Sequence, residues 1–175
     1  MTAVEGASTV FAKGSVRVLK VSQKVEYAMR AMIELAMRRS REGDRLVPAR
    51  AIADAQQIPL RFLEQQLGAL HRAGLVESFR GAGGGCRLAR DPAEIRVADV
   101  IDAIEGPMYP MGCLHAEDHT CFADAKCGLQ ELWGDVHIAI REVFERMTVA
   151  DMVERHRKLT APPLWAPSEL IRPRA

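Results

Sequence analysis

Residues 49–85 read ARAIADAQQIPLRFLEQQLGALHRAGLVESFRGAGGG, and the fold class turns on how this stretch is parsed. Residues 49–55 have the composition of a brief helix, which Gln57-Ile58-Pro59 breaks. Proline is tolerated at the start of a second helix, where its missing N–H would have no partner. Leu60, Leu63, Leu67 and Leu70 then recur at three- and four-residue spacing, predicting one buried stripe that Gly74 ends. Two short helices joined by a turn, the second apolar inside and polar outside, describe a helix-turn-helix. Residues 75–80 read as a strand and 86–89 as its partner, with Gly81-Ala82-Gly83-Gly84-Gly85 between them. A phosphate-cradling loop would need a helix to start directly after the glycines. Arg87-Leu88-Ala89-Arg90-Asp91-Pro92 reads instead as strand and then turn, so the hairpin is expected to be a wing.

Working outward, Ser22 suits the cap of a helix in which Val25, Ala28, Met29, Met32, Leu35 and Ala36 face inward. On the other side, residues 97–104 predict a helix with Val100, Ile101 and Ile104 inward, stopped by Gly106-Pro107. A connection of about twenty residues follows, longer than compact domains usually carry without a function. Leu129, Leu132, Trp133, Val136, Ile140, Val143, Phe144 and Met147 then form an apolar stripe wider than a lone surface helix needs. It suits pairing with a second copy of the chain. Thr148 and Asp151 resemble a capping box for a final short helix.

The expected architecture is mainly α with a small β wing. Residues 1–20 form an extension, 21–106 a winged helix-turn-helix, and 107–128 a cysteine loop. Residues 129–159 supply a dimerisation helix and a short final helix, and 160–175 a Pro-rich tail.

The formal net charge of +1 hides an asymmetry. Residues 1–90 hold 15 Lys and Arg against 8 Asp and Glu, whereas residues 91–175 hold 9 against 15. A basic front half fits a polyanionic partner, because each neutralised phosphate releases condensed counterions. No stretch approaches the roughly 18 uncharged apolar residues of a membrane span. The N-terminus shows no signal-peptide core, so a cytoplasmic protein that avoids membranes is expected. There is no Ser/His/Asp order and no paired carboxylate cleft, so an enzyme is not expected.

Four cysteines in such a chain point to metal or redox chemistry rather than a disulfide framework. Cys113, Cys121 and Cys127 lie in the long connection with seven and then five residues between them. Structural zinc sites usually pair ligands two to four residues apart. Three thiolates spread along one loop suit an iron–sulfur cluster, whose irons need separated ligands. Zinc, thiol redox exchange and three buried small side chains are the other readings. Cys86 belongs to the wing strand and reads as a bystander. A fourth ligand is left open by spacing alone: His115, Asp118 and His119 lie close by, and Glu26 on the first helix is a further carboxylate. Its ordinary role would be an i,i+4 pair with Arg30.

These segments together resemble the Rrf-type family of winged-helix iron–sulfur transcription regulators, which has IscR-like, NsrR-like and RirA-like members. The resemblance runs from about residue 19 to residue 153. It is carried by Glu26-Tyr27-Ala28-Met29-Arg30-Ala31-Met32, Phe62-Leu63-Glu64-Gln65, Ala73-Gly74-Leu75-Val76, Arg80-Gly81-Ala82-Gly83-Gly84-Gly85, residues 100–106 and the cysteine trio. It implies a homodimeric regulator, read as a repressor, on a palindromic double-stranded DNA operator. At matching positions, Arg61, Glu64 and Gln65 would enter the major groove, and Arg80 with Gly81 would reach the minor groove from the wing.

IscR-like members have a histidine three residues after the last cysteine, where this chain has Gln130. NsrR-like members take a carboxylate from the first helix, and Glu26 falls at that position. The resemblance therefore implies Cys113, Cys121, Cys127 and Glu26 as ligands, with [4Fe–4S] favoured over [2Fe–2S]. Rival readings are a winged-helix regulator whose cysteines bind zinc or exchange disulfides, and an iron–sulfur redox protein that does not bind DNA.

Overall fold

A computed structural model describes residues 21–81, 83–107, 109, 114 and 127–159. The extension at 1–20, the tail at 160–175, and Cys113, Cys121, His115, Asp118 and His119 lie outside the described residues.

Helix α1 spans Gln23–Glu42, and Ser22 caps it by accepting from the Val25 N–H at 3.3 Å. Of its expected inner face, Val25, Ala28, Met32, Leu35 and Ala36 are buried and Met29 is partly buried, while Ala31, which was not in the expected set, is buried as well. Helices α2 (Ala49–Gln56) and α3 (Leu60–Arg72) pack across it. Between them Gln57 adopts φ 52°, a left-handed turn residue, and the Ile58 N–H returns to the Ala53 carbonyl at 2.9 Å. The buried Ile58 side chain pins the turn into the core, so the angle between α2 and α3 is set by packing as well as by Pro59. Leu63, Leu67 and Leu70 are buried, whereas Leu60 is half-buried at the edge of the same core.

Strands β1 (Val76–Phe79) and β2 (Gly85–Leu88) form the antiparallel wing, with Phe79 opposite Gly85. Strand β1 is two residues shorter than the expected 75–80, and β2 has the expected length but starts one residue earlier than 86–89. Val47 adds a third contact, exchanging two backbone hydrogen bonds of 2.9 Å with Cys86. Two glycines are required here by space. A Cβ on Gly84 would sit 2.4 Å from the Phe79 carbonyl oxygen, and one on Gly85 would sit 2.7 Å from the Val47 backbone.

Helix α4 (Val97–Glu105) packs on α1 and α3, and α5 (Gly128–Arg146) leans on α4. The starts of α4 and of α6 (Val149–Lys158) are stitched together, Val97 N–H to Met147 carbonyl and Val149 N–H to Ile95 carbonyl, both at 2.8 Å. Thr148 and Asp151 form the anticipated capping box. Those hydrogen bonds from Thr148 hold the Asp151 carboxyl below its ordinary pKa.

Helix α5 departs from a simple stripe. Phe144 and Met147 pack inward, while Leu129, Leu132, Ile138 and Val143 stay exposed. No residue of α5 is fully buried within one chain.

Candidate nucleic-acid interface and cysteine site

Helix α3 has no side-chain cap and starts directly after Pro59. Burial of Leu63, Gln66, Leu67 and Leu70 on one side forces Arg61, Glu64 and Gln65 out on the other, and all three are exposed. Among the described residues no ion pair holds the Arg61 guanidinium. The face expected to read DNA is therefore open, polar and carried on a helix fixed by the core.

The wing stands beside it. A groove of about 590 Å³ runs between α3 and the hairpin, lined by Glu64, Gly68, Arg80, Gly81 and Gly84, with the N-terminal end of α2 at Pro48 and Ala49. The structure thus brings Glu64 together with Arg80 and Gly81. Arg61 and Gln65 lie outside this groove on the outer face of α3. Arg87 braces the hairpin, donating to Glu77 at 2.7 Å with its guanidinium 5.6 Å from the Phe79 ring centre. The Glu77 hydrogen bond, helped by that carboxylate's charge, raises the Arg87 pKa.

Cys86 lies under the wing and is buried, its thiol donating to the Val47 carbonyl at 3.4 Å. Burial pushes the thiol up to about 11, because a thiolate there would lose its water. Burial and a raised pKa both disfavour the reactive thiolate at this position, in line with the bystander expected from the sequence.

Of the expected cluster ligands, Glu26 and Cys127 are described. Cys127 is half-buried and starts α5, its carbonyl accepting from the Gln130 and Glu131 N–H groups at 3.0 and 3.3 Å. The Glu26 side chain is 58% exposed, and among the described residues it pairs with Arg30 at 3.4 Å. Among the described residues, no three His, Cys, Asp or Glu side chains gather closely enough to hold a metal. Thiolates with an accessible carboxylate are a donor set that suits iron. Glu26 can be recruited cheaply, since an exposed i,i+4 pair contributes only about 0.3–0.5 kcal/mol.

Sequence reasoning missed what lies behind Glu26. Arg30 donates to Gln56 Oε1 at 3.4 Å and also to the Gln56 backbone carbonyl. Gln56 Nε2 donates to Glu34 Oε2 at 3.0 Å, and Arg38 donates to Glu34 Oε1 at 2.6 Å. Glu34 is a buried acid among apolar neighbours, and this chain of partners satisfies it. The ladder therefore runs from Glu26 down α1 and into the last residue of α2. The strict four-residue alternation Glu26, Arg30, Glu34, Arg38 was a visible signal of a linked face.

The start of the connection after α4 is tied to α5 at Tyr109, and α5 is tied to α4 by an ion pair. Tyr109 stacks on His137 with ring centres 5.0 Å apart, and Arg141 bridges to Asp102 of α4 at 2.8 Å. Hydrogen bonds from Arg141 to Glu145 and Asp102 raise its pKa.

A family model described as Rrf2, iron-dependent transcriptional regulator, matches residues 21–155. The transcriptional regulator IscR of Serratia proteamaculans is 35% identical over 135 residues, 77% of this chain and 79% of that one. Among solved structures, T. potens IscR superposes with a TM-score of 0.65 at 33% identity, covering 83% of this chain and 93% of the other. CymR of Bacillus subtilis, described as its global cysteine regulator, gives 0.66 at 33% identity, covering 79% and 98%.

Proposed function

The chain belongs to the Rrf2 family of DNA-binding transcriptional regulators, and from that premise we propose that an iron–sulfur cluster sets its operator affinity. The cluster would be held by Cys113, Cys121, Cys127 and Glu26, with [4Fe–4S] favoured over [2Fe–2S]. When bound, it supplies iron that responds to iron status, nitric oxide or redox stress. The remaining steps belong to the chain's own residues. The chain works as a cytoplasmic repressor, and two copies pair through the exposed apolar face of α5. Each copy offers one α3 to a half-site of a palindromic operator. Arg61 is suited to guanine and Gln65 to adenine, while Glu64 accepts from cytosine or repels other bases. Arg80, beside Gly81 at the wing tip, reaches the adjacent minor groove.

The Glu26–Arg30–Gln56 connection carries the regulatory half of the proposal. Arg30 shares its guanidinium between Glu26 and the end of α2. A Glu26 carboxylate held by iron would no longer balance Arg30, and the hold of Arg30 on Gln56 would change. Gln56 directly precedes the turn that sets α3, so the outer face of α3 is repositioned with it.

The likeness to CymR supports a second reading, in which the same cysteines act as thiols without iron. Anaerobic purification separates the two. The cluster reading expects a brown protein with iron and sulfide in the preparation, lost on Cys113→Ser, Cys121→Ser or Cys127→Ser. A colourless wild-type protein that nevertheless binds its operator in a thiol-dependent manner would favour the second.

A further inference from the structure

We propose that Phe62 is a base-reading residue that packs its ring on the 5-methyl group of a thymine in each half-site. This rests on α3 being the DNA-facing helix. Phe62 is 53% exposed and belongs to neither buried core cluster. Its backbone is nonetheless fixed: its N–H donates to the Pro59 carbonyl at 3.0 Å and its carbonyl accepts from Gln66 at 3.4 Å.

Three phenylalanines lie among the described residues. Phe144 packs inward on α5, whereas Phe62 and Phe79 are exposed, one on α3 and the other on the wing. The Phe79 ring already has the Arg87 guanidinium over it. No such cover over Phe62 is found among the described residues.

Its place on the helix says what it meets. At about 100° per residue, Arg61 and Gln65 occupy the middle of the outer face of α3, with Glu64 and Phe62 at its two edges. Glu64 lines the groove on the wing side. Phe62 therefore marks the edge away from the wing, in the first turn, where recognition helices contact bases. Apolar side chains there recognise the thymine methyl, the one apolar feature on a major-groove edge. A second copy of the chain is the weaker occupant, because α5 already offers that copy Leu129, Leu132, Ile138 and Val143.

The test uses the full-length protein and the duplex it selects from a randomised pool. Each thymine is replaced in turn by deoxyuracil, which lacks only the methyl. One position per half-site should weaken wild-type binding about fourfold, the worth of one buried methyl at about 0.8 kcal/mol. Phe62→Ala should lose a similar factor on the thymine duplex and be indifferent to deoxyuracil at that position. Phe62→Leu, apolar and shorter, should keep part of the discrimination. The melting temperature reports whether each variant folds. The proposal is overturned if no thymine matters, if Phe62→Ala still discriminates, or if Phe62→Ala changes only the subunit association. A wild-type protein that selects no duplex removes the DNA-facing assignment of α3 itself, a separate and recognisable failure.

Discussion

Arg30, midway along α1, donates to the backbone carbonyl of Gln56, the residue on which the first helix of the helix-turn-helix ends. The last carbonyls of a helix have no partner within it, and a guanidinium answers both their hydrogen bonds and the negative end of the dipole. The same group faces Glu26, so one side chain joins the candidate ligand to the reading head.

Removing that junction costs stability in a way that removing Glu26 does not. Arg30→Met leaves the side chain and terminal carbonyl of Gln56, the residue that in turn holds the buried Glu34, short of a donor, and should destabilise the protein by about 1–2 kcal/mol. Glu26→Gln, at an exposed i,i+4 pair, should cost no more than about 0.5 kcal/mol. Urea unfolding of the two variants checks the contrast. Equal effects would mean that the ladder is a surface feature with no grip on α2.

The wing makes a sharper demand. Gly84→Ala places a methyl 2.4 Å from the Phe79 carbonyl oxygen, and backbone must move to admit it. The expected loss is about 1–3 kcal/mol, within the range seen when a packed site is overfilled. Operator affinity should fall further than the unfolded fraction explains, since Arg80 and Gly81 sit on the displaced turn. Retained affinity at wild-type stability would show that the hairpin has another way to close.

Leu132→Glu and Ile138→Glu test the exposed face of α5. Neither side chain is buried within one chain, so the fold should persist. Sedimentation should show the association state drop to a monomer, with weaker operator binding. A dimer surviving both changes would place the subunit contact elsewhere.

Cys86 gives a pH test. Its folded pKa of about 11 lies above the ordinary thiol value of 9.0, so the folded state keeps its proton longer than the unfolded chain. That contribution is fully present below pH 9 and is lost as pH rises through 11. Cys86→Ala should flatten the stability profile in this window relative to wild type. Native protein should also alkylate at Cys86 far more slowly than unfolded protein. Parallel profiles for the two proteins would contradict the assigned burial.

Much of this was legible in the residues. The stripe Leu63, Leu67 and Leu70 and the cap at Ser22 predicted α3 and α1, because helical period and capping chemistry are local. The outward display of Arg61, Glu64 and Gln65 follows from that stripe. The role of Arg30 was not legible, since its partner Gln56 lies 26 residues away and only the packing of α2 on α1 brings them together. The division of α5 into an inner and an exposed face was hidden for a similar reason. Its apolar residues are periodic, but which of them meet α4 depends on the crossing of two helices. The burial of Glu34 and Gln66 was not read from the sequence, because satisfaction by distant or backbone partners leaves no local mark.

The most direct test of the central claim is operator affinity of anaerobically purified protein, loaded and after a chelator has stripped its iron, for wild type and Glu26→Ala. Wild type should change affinity on stripping by about tenfold or more, the scale of a coupling free energy of 1–3 kcal/mol. Glu26→Ala should hold its cluster poorly and show little change. If stripping leaves wild-type affinity unaltered, or if Glu26→Ala loads and switches as wild type does, the proposed control through Glu26 is wrong.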